Sequence, residues 1–138
     1  MNHKSKRLAG ILLIIFPTVI YGGVSLLGFL INDPAYIQNP LRQDLFRAGH
    51  AHAGVLLILS LVALRYVDEA NLSETWKAVV RNGIPLTAIL LPAAFFFSVL
   101  DANATEPNSI IYLAYIGAVI LTFSLLVLGI GLVKKKRE

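Results

Sequence analysis

The chain of 138 residues contains no cysteine, and only 14% of its residues are charged. The lack of cysteine excludes disulfide bonds, thiolate metal sites and thiol nucleophiles. The charged share is low, because about 25% is usual for a water-soluble domain. Hydrophobic residues make up 57% of the chain and occur in long blocks. The composition therefore predicts an integral membrane protein with the lipid bilayer as its main surroundings.

Motifs of enzyme chemistry are also missing. The sequence has no His-Glu-x-x-His pattern, no glycine-rich phosphate loop and no carboxylate pair within the apolar blocks. The net charge of +4 would suit nucleic acid, but the basic residues lie at the ends of apolar blocks rather than in an aromatic-interleaved stripe. No catalytic residue and no nucleic-acid partner are predicted.

Four apolar blocks are long enough to cross a membrane as helices. The first follows a basic segment, as in a signal peptide, but it is longer than the apolar region of a signal and is predicted to be a retained span. The prediction is an all-α integral membrane protein, a four-transmembrane-helix bundle that forms one domain over 1–138. The predicted spans are about 9–31, 48–66, 84–100 and 110–133, with a short interfacial helix at about 72–82.

Cap residues and prolines refine the predicted ends and shapes of these helices. Asn39 and Pro40 form an N-cap and first helical position, so the second helix is expected to begin well before its apolar block. The short interfacial helix is expected to end at Gly83. Pro17 and Pro92 lie inside spans, where we expect kinks rather than breaks.

The distribution of lysine and arginine predicts the orientation. Only Arg42 and Arg47 lie at the ends of spans that face one side. Since basic residues concentrate on the cytoplasmic side, both termini are predicted to be cytoplasmic in a multi-pass protein of the cell membrane. The remaining basic residues lie on the other side: Lys4, Lys6, Arg7, Arg65, Lys77, Arg81, Lys134, Lys135, Lys136 and Arg137.

The polar residues at membrane depth are the candidate site. Ionisable groups inside a membrane usually have a function. At 1.5 Å per residue, the two span histidines stand roughly 20 to 22 Å above Arg65, or about 8 to 10 Å below the outer surface. The outer half of the bundle is predicted to collect Arg47, His50, His52, Asp101, Tyr112 and Tyr115.

The spacing of His50 and His52 restricts what they can bind. Two residues apart on a helix, they point about 200° away from each other, so they are not expected to chelate one metal ion. A single axial imidazole, with the other histidine hydrogen-bonded elsewhere, is geometrically easier. Small residues surround both histidines and would let either a flat macrocycle or a second helix approach closely.

The stretch Phe46-Arg47-Ala48-Gly49-His50-Ala51-His52-Ala53-Gly54 resembles the histidine-bearing helix of subunit I in haem-copper oxidases, most of all in the cbb3 and nitric-oxide-reductase branches. The resemblance implies that His50 is an axial ligand of haem. The chain has only three histidines, so it departs from a family that uses several ligand histidines on separate helices. Taken whole, the chain resembles small four-helix proteins of bacterial membranes, a family label that implies no activity.

Two function classes follow. In the first, the chain is a non-enzymatic accessory or structural subunit, or a small-solute transporter, and the histidines hydrogen-bond between helices. In the second, it is a redox membrane protein that binds haem b or copper near its outer face. His50 would then be the ligand, His52 a second ligand or a hydrogen-bonding neighbour, and Arg47 an electrostatic partner. A homodimer or a larger membrane complex would complete the coordination.

The other polar candidates also have ordinary structural interpretations. Arg47 is typical of an anchor at the membrane interface, where its charged group reaches water. Tyr112 and Tyr115 are typical of the interfacial aromatic belt. Asp101 suits either a solvated loop or a hard-cation site, for which a single loop supplies few ligands.

Overall fold

A computed structural model describes residues 1–134, and this part of the chain is all-α. Lys135, Lys136 and Arg137, which contribute to the predicted orientation, lie outside the described residues. The helices are α1 (His3–Asn32), α2 (Pro34–Ile37), α3 (Pro40–Tyr66), α4 (Glu74–Phe97), a short 3₁₀ helix (Ser109–Tyr112) and α5 (Leu113–Val133).

Four helical segments are long and apolar enough to cross a membrane, which agrees with the four predicted spans. The segments are α1, α3, α4, and α5 together with the 3₁₀ helix before it. α3 begins where the cap residues predict: the Asn39 side chain accepts a hydrogen bond from the backbone N–H of Arg42, and Pro40 follows it. α1 and α4 continue through Pro17 and Pro92, as expected for helices whose neighbours stabilise them.

The predicted helix end at Gly83 is wrong. α4 runs without interruption from Glu74 to Phe97, so the predicted interfacial helix and the third span are one element. Its N-cap is Ser73, whose hydroxyl accepts from the backbone N–H of Trp76. Gly83 instead allows close packing on α5, because a Cβ atom there would lie 2.4 Å from the Ser124 hydroxyl oxygen. A glycine that ends a helix and one that admits a neighbouring helix look alike in sequence.

The long helices pack side by side in chain order. α3 and α4 pack on each other, α1 packs mainly on α3, and α5 packs mainly on α4. Within the most apolar 18-residue stretch of each helix, only 6% of α1 is buried inside the protein, against 44% of α4. α4 is therefore central, and α1 is an edge helix with most of its surface open.

Candidate functional site

His50 faces α1, at the point where α1 carries two consecutive glycines. A Cβ atom on Gly23 would lie 3.0 Å from His50 Nε2 and 3.1 Å from Cε1. A Cβ atom on Gly22 would lie 3.7 Å from His50 Nδ1. The imidazole therefore lies directly against the backbone of α1, in a space that exists because neither position has a side chain.

His52 faces α4 instead. Its ring lies over Phe95, with ring centroids 5.0 Å apart. Its Nδ1 lies 2.7 Å from the carbonyl oxygen of Ala48, one turn earlier in α3. Because a carbonyl can only accept, Nδ1 carries the proton and donates this hydrogen bond. The two histidines thus contact different helices, as the 200° separation predicts, and they do not form a shared metal site.

The ring nitrogens of His50 are more available for binding than those of His52. Its side chain is half-buried, and within residues 1–134 neither ring nitrogen has a hydrogen-bond partner. A partly buried imidazole without a hydrogen-bond partner carries an energetic cost, which water, a ligand or another subunit would relieve. The two ring nitrogens of His50 are therefore the atoms of the predicted site that are free to bind a ligand.

Arg47 does not join the histidines. Its guanidinium forms an ion pair with Asp44 at 2.8 Å and donates through Nε to the carbonyl oxygen of Gln43. The Arg47 side chain is 59% exposed. Its position at the open surface fits the interfacial-anchor interpretation better than a role as electrostatic partner of His50.

The remaining predicted residues also lie apart from the histidines. Asp101 lies in the loop after α4, where its carboxylate accepts from the backbone N–H of Asn103. Tyr112 and Tyr115 are 65% and 68% exposed and contact each other, with ring centroids 6.1 Å apart. Over residues 1–134, no group of three or more His, Cys, Asp or Glu residues is arranged to hold a metal ion.

A buried arginine, Arg42, joins segments at the end of the bundle where α3 begins and α4 ends. It is only 9% exposed, and its Nε donates to the carbonyl oxygen of Val99 at 3.0 Å, just beyond the end of α4. Its guanidinium also lies 5.0 Å from the ring centroid of Phe46 and 5.9 Å from that of Tyr36. The cation binds carbonyl groups of Val99 and Leu100, which follow the end of α4, and contacts two aromatic faces. The i, i+4 spacing of Arg42 and Phe46 places the guanidinium beside this ring, but it does not distinguish a buried arginine from an exposed one.

A second buried cation, Arg81, joins three segments at the opposite end. Its guanidinium forms an ion pair with Asp68 at 3.0 Å and donates through Nε to the Ser5 hydroxyl at 2.9 Å. The backbone N–H of Asn2 donates to the other carboxylate oxygen of Asp68 at 2.7 Å. The amino-terminal end of α1, the connection after α3 and the amino-terminal third of α4 are thus held together by one polar network.

The network changes the acidity of Asp68. Burial alone would raise the pKa of this carboxyl, but hydrogen bonds from Asn2, Ser5 and Arg81 together with the charge of Arg81 lower it further than burial raises it. The net result is a pKa below the usual aspartate value, because the partners favour the charged form.

The lowered pKa of Asp68 predicts a loss of stability in acid. Its stabilising contribution is complete above about pH 4, the usual aspartate range, and is lost as pH falls through the lowered pKa. Thermal unfolding of Asp68→Asn should therefore lack this part of the acid dependence. Glu69→Gln, which removes an exposed partner of Arg65, should retain it. An Asp68→Asn protein with the same acid dependence as the parent would contradict the assignment.

The fold and the site together define a protein of four long apolar helices in which two histidines and two buried arginines contact neighbouring segments. No protein-family model, no curated protein and no solved structure matches the chain.

Proposed function

We propose that the chain is a non-enzymatic integral protein of the cell membrane, an accessory or structural subunit with both termini in the cytoplasm. The four long apolar helices support the membrane location. The concentration of lysine and arginine at one set of helix ends supports the orientation.

The observation that carries the non-enzymatic role is the contact of each histidine with a different helix. Atoms of the chain itself fill the space in front of both rings: the backbone at Gly22 and Gly23 faces His50, and Phe95 faces His52. His52 uses Nδ1 within its own helix. The expected hydrogen bonds from the histidines to other helices are not present within residues 1–134. Both histidines are instead proposed to fix α1 and α4 against α3 through the packing of their rings.

The open edge of the molecule supports a role in assembly. Almost none of the most apolar stretch of α1 is buried inside the protein. On this helix the side chains of Ile14 and Tyr21 are 79% and 75% exposed. In a membrane, lipid or another helix covers such a surface. A second copy of the chain or a larger membrane complex is the proposed partner at this edge.

A haem- or copper-binding redox protein is the second candidate. The nitrogens of His50, which have no partner within residues 1–134, favour it, because a metal ligand needs a free ring nitrogen. The contact with α1 opposes it, because a Cβ atom on Gly23 would already lie 3.0 Å from Nε2. A flat macrocycle does not fit between His50 and α1 while the two helices remain in contact.

An absorption spectrum with metal analysis separates the two candidates. Protein purified from cells supplied with haem and copper is expected to show no Soret band and no stoichiometric metal. The His50→Ala and His52→Ala variants should give the same spectrum as the parent. A Soret band or one equivalent of copper in the parent that disappears in His50→Ala would replace the structural role with the redox role.

A further inference from the structure

Two adjoining cavities form one groove along the surface between α1 and α4. The first, of about 360 Å³, lies at the amino-terminal end of α1 and is lined in part by Lys4 and Arg7. The second, of about 500 Å³, continues along the helices and is lined mainly by apolar side chains. Leu8, Ile11 and Asn82 line both cavities, so the basic end opens directly into the apolar part.

The positive charge at the basic end is not neutralised by this part of the chain. Lys4 and Arg7 are exposed, and neither has an acidic partner within residues 1–134. Arg81 lines the same cavity but is already paired with Asp68. Two cations three residues apart on one helix face therefore remain available to an anion at this point.

The apolar part of the groove restricts which anion can fill it. It follows α1 away from the basic residues, along a helix long and apolar enough to span a membrane. A molecule that fills both parts needs a negatively charged group at one end and a hydrocarbon chain attached to it. A soluble phosphate would use only the basic end and would leave the apolar walls uncovered.

We propose that an anionic phospholipid occupies this groove, with its phosphate between Lys4 and Arg7 and one acyl chain along the apolar walls of α1 and α4. Basic pockets between membrane helices commonly bind lipid head groups in this way. The inference rests on the proposed membrane location, because only there does the groove face lipid. It adds a specific ligand to the edge helix α1.

The chain offers a matched control for this site. Lys6 has the same charge, lies on the same helix turn and is exposed, but it does not line the groove. At 100° per residue, Lys6 points about 160° away from Lys4 and Leu8 and about 140° away from Ile11 around the helix axis. Lys6→Gln therefore removes one charge from the same membrane interface while leaving the groove intact.

The test is lipid retention by the detergent-purified full chain, measured by native mass spectrometry with phosphatidylglycerol or phosphatidylcholine added. The parent and Lys6→Gln are expected to retain phosphatidylglycerol in preference to phosphatidylcholine. Lys4→Gln should bind phosphatidylglycerol about fivefold more weakly and Lys4→Gln/Arg7→Gln roughly 30-fold more weakly, because each cation that faces the phosphate in the groove contributes a factor of about five. Soluble glycerol phosphate should not displace the lipid.

Three results would overturn the proposal. They are equal retention of the two lipids by the parent, equal losses in Lys6→Gln and in Lys4→Gln, or complete displacement by glycerol phosphate. The last would indicate a phosphate site without an acyl-chain site. None of them would affect the membrane location, which fractionation of the same cells reports independently.

Discussion

Replacing Arg81 with alanine is expected to lower the free energy of unfolding by about 3–5 kcal/mol, the usual cost of removing one partner from a buried ion pair. The side chains of Arg81 and Asp68 are only 5% and 11% exposed, so the variant leaves a largely buried carboxylate behind. The Asp68 carboxylate would keep its bond from Asn2 but would lose its opposite charge. Denaturation by SDS in mixed micelles, followed by circular dichroism, measures the effect.

The exposed pair between Arg65 and Glu69 provides the control. Its side chains are 58% and 50% exposed, so Arg65→Ala should cost at most about 1 kcal/mol. Both arginines lie at the same end of the bundle and pair with a carboxylate, so the comparison measures the effect of burial on the stability that an ion pair contributes. Equal losses in the two variants would mean that the Arg81 network does not hold the three segments together.

Replacing Gly23 with leucine is expected to destabilise the protein by about 1–3 kcal/mol, the usual range for overfilling a packed contact. The new Cβ atom would lie 3.0 Å from His50 Nε2, and the rest of the side chain would push α1 away from α3. Leucine is a better helix former than glycine, so propensity alone would stabilise the helix instead. A loss of stability therefore reports the clash with His50.

The double variant Gly23→Leu/His50→Ala tests the origin of that loss. Removing the imidazole makes room for the new side chain, so part of the stability lost in Gly23→Leu should return. Gly28→Leu is the control on the same helix, because a Cβ atom at Gly28 would meet no other atom of residues 1–134 within 4 Å. It should be neutral or stabilising. Additive effects of Gly23→Leu and His50→Ala would contradict a direct contact between the two positions.

The number and type of the long helices could be predicted because uncharged runs of this length are a strong local signal. The start of α3 could also be predicted, because Asn39 and Pro40 act through their own backbone. The uninterrupted course of α4 could not. Gly83 has the local features of a helix end, and only its contact with Ser124 on α5 reveals its packing role.

For the candidate site, only the directions in which His50 and His52 point around α3 could be predicted. The rotation of 100° per residue requires His50 and His52 to diverge, and their contacts with α1 and α4 do so. The identity of the facing residues depends on tertiary packing, which the sequence does not encode locally. The expected depth of the polar residues in the membrane also did not predict which of them are in contact. Arg47, expected near the histidines, instead forms an exposed ion pair with Asp44.

The buried arginines were missed for a related reason. In the sequence, Arg42 and Arg81 count only as basic residues that mark the two sides of a membrane protein. Their partners are distant in the chain: Val99 lies 57 residues after Arg42, and Ser5 lies 76 residues before Arg81. A charge that marks topology and a charge that joins helices have the same local sequence.

The most direct test of the central claim is the accessibility of single cysteines, because the natural chain has none. Intact cells producing Lys6→Cys, Asn103→Cys or Lys134→Cys would be treated with a maleimide that cannot cross membranes. Helices that span the membrane with cytoplasmic termini predict labelling of Asn103→Cys in intact cells. They predict labelling of Lys6→Cys and Lys134→Cys only after the cells are opened. Labelling of either terminal cysteine in intact cells would contradict the proposed orientation, and a chain recovered in solution without detergent would contradict the membrane location.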